Sequence, residues 1–266
     1  MNTHLIKPIQ PYFMLYAQNS YQKKYVNRDG ISHFYCFTLD QAAMPINVVP
    51  DGSIDIIIKL DDDRPEAWVC GSSRILGSTL IEKGCSYFGV RYQIGVVPDF
   101  LPIKPKDIVD QSVPLHSISP LAIQLLARLA ECHNFEQQIT AFQQVCGHHR
   151  RTIESYDLSQ VLIKLMLQRR GNISIAELSQ QSGYCTRTIS GSFNNYYGLS
   201  PKAFNLILRY QQVLDHLMQS NVDRLTDLAT DIGYSDQSHL CRQFKRYNGQ
   251  GPKEFQNILK QYSYHH

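Results

Sequence analysis

The chain has 266 residues, 43% hydrophobic and 18% charged, with a formal net charge of +3 and seven cysteines. That composition supports a buried core and excludes disordered, collagen-like and disulfide-dense classes, and the length fits two domains of ordinary size. The cysteines are odd in number, widely spaced and without a CxxC pair, and no long apolar run occurs, so we expect no disulfide framework, zinc knuckle, signal segment or membrane span, and a cytoplasmic location.

Residues 1 to about 115 are β-rich in pattern, with runs at 53–60, 67–70, 87–92 and 94–97 bounded by glycine, proline or acidic clusters. Asp61, Asp62 and Asp63 lack the spacing of a calcium loop and read as a solvated turn. Two helices follow. The first is expected to be capped by Ser119 with Pro120 at its start, and it carries an apolar stripe of Leu121, Leu125, Leu126 and Leu129. The stripe either packs on the strands or pairs with a second copy. The second helix spans 135–146, ahead of Gly147. Segment 148–156 is polar and aperiodic, and we expect it to link a domain at 1–147 to one at 157–262. Residues 1–150 carry a net charge of −1 and residues 151–266 a net +4, so the positive charge that suits a polyanion lies in the C-terminal part.

An internal repeat occupies that part. Leu178, Gly183, Tyr184, Ile189, Phe193, Tyr196, Gly198, Pro201, Lys202 and Phe204 recur as Leu228, Gly233, Tyr234, Leu240, Phe244, Tyr247, Gly249, Pro252, Lys253 and Phe255. Each copy predicts a helix, a glycine turn and a second helix. Ser174 with Glu177 forms a capping box for the first helix, and Gly183 falls where a left-handed residue would end it. Ile189 and Phe193, like Leu240 and Phe244, lie four apart on a core-facing stripe. Ser200 and Pro201 start a helix through about Gln219, Pro252 starts another, and Asp157 could cap one through Arg170. Seven helices are expected between 157 and 262, containing two helix-turn-helix units whose second helices suit a DNA major groove.

The second helix of copy two offers Gln237, Ser238, His239, Arg242, Gln243, Lys245 and Arg246, a mixture suited to base edges and phosphates. Copy one offers Thr186, Arg187, Thr188, Ser190, Gly191, Ser192, Asn194 and Asn195, with a single positive charge. Gly191 within a helix means either that the backbone approaches something closely there or that the unit is loosely built.

The run from Asp231 through Gly249 followed by 251–255 (Gly-Pro-Lys-Glu-Phe), together with Gly183-Tyr184, Phe193, Gly198 and Ser200-Pro201, resembles the AraC/XylS family of bacterial transcription regulators over about residues 158–262. The resemblance implies a seven-helix DNA-binding domain that sets its two second helices into successive major grooves, with half-sites about 10 base pairs apart. Carried over position by position, base contacts fall on Arg187, Ser190, Gly191, Gln237, Ser238, His239 and Arg242. Gly191 departs from the family pattern, which places a long polar or basic side chain there. Phosphate contacts are assigned to Thr186, Lys202, Lys245, Arg246 and Lys253, the two lysines at 202 and 253 because they follow helix-starting prolines.

Val49-Pro-Asp-Gly-Ser-Ile-Asp-Ile-Ile57, Val69-Cys-Gly71 and 89–95 resemble the N-terminal domain of one subgroup of that family. This implies an α+β chain whose N-terminal part is a cupin-like barrel, without a metal, that receives a small effector, dimerises or both. Trp68, Phe88, Arg91 and Tyr92 are the candidate effector residues; packing of the barrel is the alternative reading of all four. The implied partners are double-stranded promoter DNA, a second copy of the chain, and RNA polymerase for an activator. A constitutive DNA-binding protein controlled by abundance or a protein partner is the alternative. No metal or other cofactor is expected: Cys146 and His148 lack further ligands at suitable spacing, and Cys36 or Cys85 would act only as a thiol sensor. GxGxxG and GxxxxGK[ST] are absent and no nucleophile-base pattern occurs, so we expect no enzyme.

Overall fold

The structure is a computed structural model that describes residues 6–17, 20–26, 28–39, 44–60, 65–147, 158–219, 222 and 224–263. The expected linker, the Asp61 to Asp63 turn, His148 and the Asp157 cap lie outside the described residues.

A short helix α1 (Pro11–Ala17) precedes strands β1 (Gln22–Tyr25), β2 (Ile31–Thr38), β3 (Met44–Val48), β4 (Asp55–Leu60), β5 (Glu66–Cys70), β6 (Gly77–Ile81), β7 (Ser86–Tyr92) and β8 (Ser112–Pro114). Six of them form one antiparallel sheet in the order β1-β2-β7-β4-β5-β8. Among the described residues β3 pairs only with β6, as a separate ribbon. The N-terminal part is β-rich as expected, but the barrel is not closed: the ribbon packs through Ile46 and Ile81 beside Phe37 and Ile57 of the sheet.

The run at 94–97 is a turn and not a strand. Gly95 adopts φ +77°, which ends β7, and Ile94 is apolar because it is buried in the core shared with the C-terminal helices. Strand periodicity and burial against a neighbouring unit give the same short apolar pattern.

Alternation along the strands divides the sheet into two faces. Phe34, Ile56, Ile58, Val69, Phe88 and Val90 face helices α2 (Leu121–Ala130) and α3 (Phe135–Cys146), meeting Leu125, Leu129 and Phe142. The stripe of α2 is thereby used within the chain, with Leu125 and Leu129 buried and Leu121 and Leu126 half-buried. Its helix starts one residue later than expected. Pro120 is the N-cap, and Ser119 stands outside it, although its Oγ still accepts from the Leu121 N–H at 3.4 Å.

The opposite face carries Tyr35, Phe37, Ile57 and Tyr87, and its core runs on into the C-terminal helices. These are α4 (Leu158–Gln168), α5 (Ile175–Ser182), α6 (Thr186–Tyr197), α7 (Pro201–Met218), α8 (Leu225–Ile232), α9 (Gln237–Asn248) and α10 (Pro252–Ser263), the seven that the sequence predicts. Ser174 and Glu177 form the expected capping box, and Ser200 accepts from the Ala203 N–H. Gly183, Gly198, Gly233 and Gly249 end α5, α6, α8 and α9 in the left-handed conformation, which costs a side-chain-bearing residue about 1 kcal/mol or more. Ile189, Phe193, Leu240 and Phe244 are fully buried, and truncating either phenylalanine to alanine would cost about 3–5 kcal/mol.

Candidate nucleic-acid interface

The two second helices, α6 and α9, are placed by the long helix α7 between them. Arg209 of α7 donates from Nε to the Gly171 carbonyl and from Nη1 to the Gly233 carbonyl, each at 2.9 Å. One guanidinium thus ties the entry of the first unit to the turn of the second, and its planar fork fixes their spacing more firmly than a lysine could.

On α9, Ser238, Arg242, Lys245 and Arg246 are exposed and Gln237 and His239 half-buried. Asp236 caps the helix by accepting from the His239 N–H at 2.7 Å, and that bond holds its carboxyl below the usual range. Ser235 donates its single hydroxyl hydrogen to Asp236 Oδ2 at 3.0 Å. The 3.1 Å contact between Ser235 Oγ and His239 Nδ1 is therefore made with the hydrogen on Nδ1. The His239 ring is held edge-on against the Tyr234 ring. Gln243 is a correction to the sequence reading: it is buried, because it lies on the same side of α9 as Phe244 and Tyr247.

On α6, Thr186, Arg187, Thr188, Asn194 and Asn195 are exposed and Ser190 half-buried. Ser192 is half-buried too, with its hydroxyl 3.3 Å from that of Ser159. Gly191 is exposed, and a methyl group added there would meet nothing within 4 Å. No close approach among the described residues explains it. Ser190, Lys202 and His239 line one groove of about 880 Å³ between the units, with Arg209 at its wall. Lys253 is exposed at the start of α10, as Lys202 is at the start of α7.

Residues 178–258 match a family model described as a helix-turn-helix domain, HTH_18, and residues 28–114 match one described as a domain of unknown function, DUF6597. The C-terminal unit thus contains a helix-turn-helix domain. A relative, described as an uncharacterized HTH-type transcriptional regulator of Haemophilus influenzae, is 26% identical over 102 residues, which are 38% of this chain and 34% of that protein. The match thus spans about a third of the relative's length. Among solved structures, ToxT from Vibrio cholerae is similar at 11% identity and a TM-score of 0.45, over 90% of this chain and 99% of that one. A DNA-binding transcriptional dual regulator from Escherichia coli K-12 is similar at 14% identity and a TM-score of 0.36, over 42% of this chain and 99% of that one.

The helix-turn-helix domain is docked on the N-terminal unit at both second helices. Gly198, which ends α6, lies against Lys106 and Val109, and Gly249, which ends α9, lies against Leu76. Tyr12 of α1 donates to the Asn248 carbonyl at 2.9 Å.

The four candidate effector residues do not share a pocket. Phe88 and Tyr92 pack in the core beneath α2 and α3, whereas Arg91, one position away on β7, points through the other face of the sheet. Trp68, on β5, is half-buried and lines neither that cavity nor the one beside Tyr92. Arg91 alone lines the cavity of about 340 Å³ between the sheet and the β3-β6 ribbon, together with Gln10, Asp51, Ser53, Asp55 and others. Burial pushes Asp51 and Asp55 above the usual carboxylate range, and Arg91 pulls both back. The sequence reading missed Asp51, Ser53 and Asp55. Their signal was an acid at each end of Asp-Gly-Ser-Ile-Asp directly ahead of an apolar strand, where a solvated turn would not continue into the core. Among the described residues no three His, Cys, Asp or Glu side chains form a metal-binding group, and no helix is long and apolar enough to cross a membrane.

Proposed function

We propose that the chain is a transcription regulator that binds promoter DNA with α6 and α9 in successive major grooves, and that its N-terminal unit adjusts this binding in response to a small effector. The observation that carries the reading is the pair of glycine-stopped helix-turn-helix units, tied by Arg209, with the polar residues of α6 and α9 turned outward. In this reading Arg187, Ser190, Gln237, Ser238, His239 and Arg242 face base edges, with Gly191 at the groove floor. Thr186, Lys202, Lys245, Arg246 and Lys253 hold phosphates. Selection of bound fragments from genomic DNA, followed by footprinting, tests it. Two protected half-sites about 10 base pairs apart are expected, and binding without sequence preference would overturn it.

Effector control is supported by the short path from the Arg91 cavity to the docked domain. Leu76 lines that cavity and also touches Gly249 at the end of α9. A ligand that favours one placement of Leu76 would shift the population of domain arrangements by its differential affinity for them. The continuous core across the seam favours a second reading, in which the sheet unit is a fixed scaffold and control comes from abundance or a protein partner. DNA affinity measured with and without ligands that raise the unfolding temperature separates the two. A second copy of the chain, and RNA polymerase in the case of an activator, complete the proposed partners. Sedimentation on operator DNA gives the stoichiometry.

A further inference from the structure

The Arg91 cavity holds an unbalanced set of buried polar groups. Arg91, Asp51, Asp55 and Ser53 are each at least 94% buried. Asp55 Oδ2 is taken up twice, by Arg91 Nη2 and by the Tyr35 hydroxyl, the latter at 2.7 Å. Asp51 Oδ2 accepts from Gln10 Nε2 at 3.0 Å and Oδ1 from the Ser53 N–H at 3.0 Å. Three atoms are left over. Asp55 Oδ1, Arg91 Nε and Ser53 Oγ have no hydrogen-bond partner among the described residues. All three belong to residues that line one cavity. Buried polar atoms are ordinarily paired, and three orphans on residues that line one space point to an occupant.

The charges state what kind of occupant. With both carboxylates ionised, they and the one guanidinium sum to −1, and Asp110, the other acid lining the cavity, is bound by Arg74 through its backbone N–H at 2.7 Å and through Nε. An anion would add to the excess and a hydrocarbon would leave the orphans unpaired. A cation that donates to Asp55 Oδ1 and Ser53 Oγ balances the charge, and an acceptor on the same molecule meets Arg91 Nε. The volume of about 340 Å³ limits it to a small molecule.

We infer that the cavity between the sheet and the β3-β6 ribbon is a binding site for a small amine that also carries a hydroxyl or carbonyl oxygen, with Asp55 and Ser53 receiving the ammonium and Arg91 the oxygen. The assignment of this ligand as the effector rests on the regulator reading above, whereas the site itself does not.

Thermal unfolding of the full chain tests it with ethanolamine as the probe, glycerol as a neutral control and butyrate as an anionic one. Ethanolamine is expected to raise Tm saturably, by about 5–10 °C at a concentration a hundredfold above its Kd. Asp55→Asn removes the charge but also an anchor of Arg91 and Tyr35, so Ser53→Ala is the cleaner variant. Its hydroxyl bonds nothing among the described residues, and its loss should leave the unliganded Tm in place while weakening ethanolamine roughly tenfold. No shift with ethanolamine, an equal shift with butyrate or glycerol, or an unchanged affinity in Ser53→Ala would each overturn the assignment. DNA binding by the same preparation is scored separately. A Tm shift that Ser53→Ala weakens, in a chain that does not bind DNA, supports the site and sinks the regulator reading; DNA binding with no Tm shift does the reverse.

Discussion

Gln211, in the middle of α7, donates from Nε2 to the carbonyl of Pro50 at 2.8 Å, and its Oε1 accepts from the Ile9 N–H at 2.8 Å. The side chain is fully buried, and Nε2 also donates to the Ile9 carbonyl at 3.3 Å, so one amide in the core of the helix-turn-helix domain satisfies three backbone groups of the N-terminal unit. Gln211→Leu keeps the volume but strands the Ile9 N–H and the Ile9 and Pro50 carbonyls. Destabilisation by about 2–3 kcal/mol is expected in chemical unfolding. A variant as stable as the parent would show that the seam is open in solution.

Arg242 and Lys245 are both exposed on α9 but are assigned different work. Arg242→Ala should cost about 1–3 kcal/mol on a specific site and little on random DNA, as loss of a base contact does. Lys245→Ala should weaken all sequences alike and reduce the salt slope by about one. Titrations at several salt concentrations separate the two. Equal loss on random DNA would move Arg242 to the phosphates, and an unchanged slope would take Lys245 out of the interface.

Gly191 offers a test in which stability and binding move in opposite directions. A methyl group there meets nothing among the described residues, so Gly191→Ala should stabilise α6 by about 1 kcal/mol. If the helix backbone lies close to DNA at this point, the same variant binds operator DNA more weakly. Higher Tm with undiminished affinity would place Gly191 away from the groove.

The helical half was legible because its signals are local. Capping residues, left-handed glycines and apolar spacing four apart specify each helix without reference to the rest of the chain, and the repeat states them twice. Gln243 escaped because polar type was taken for exposure. The sheet half was read only where strands are apolar on both faces, as in β4 and β7. β1 (Gln22–Tyr25) is exposed throughout, and the β3-β6 ribbon is defined by a pairing between distant segments, so neither announces itself in a short window. Grouping Phe88, Arg91 and Tyr92 overlooked the period of two, which sends Arg91 to the other face. Gln211 carried a usable signal: it falls three residues after Leu208 and seven after Phe204, on the core stripe of α7, where an amide needs buried partners.

His33 should make the chain sensitive to mild acid. Burial holds its pKa well below 6.5, and Arg91, Lys23 and Lys7 push the same way. The folded chain therefore keeps His33 neutral where the unfolded chain, titrating near 6.5, already binds a proton. The unfolded state gains protons first, so stability is full above about pH 6.5 and falls as the pH drops below it, by at most about 1.4 kcal/mol per pH unit. Asp51 and Asp55 act in the opposite sense, because their raised values let the folded state take up protons before the unfolded one as the carboxylate range is approached. The histidine contribution is thus cleanest between about pH 7 and 5.5. Urea unfolding across that range should show a steeper loss for the parent than for His33→Gln, which has no proton to bind. Parallel curves would mean that His33 is protonated in the folded protein, and that its place beside Arg91 on the sheet is open to water.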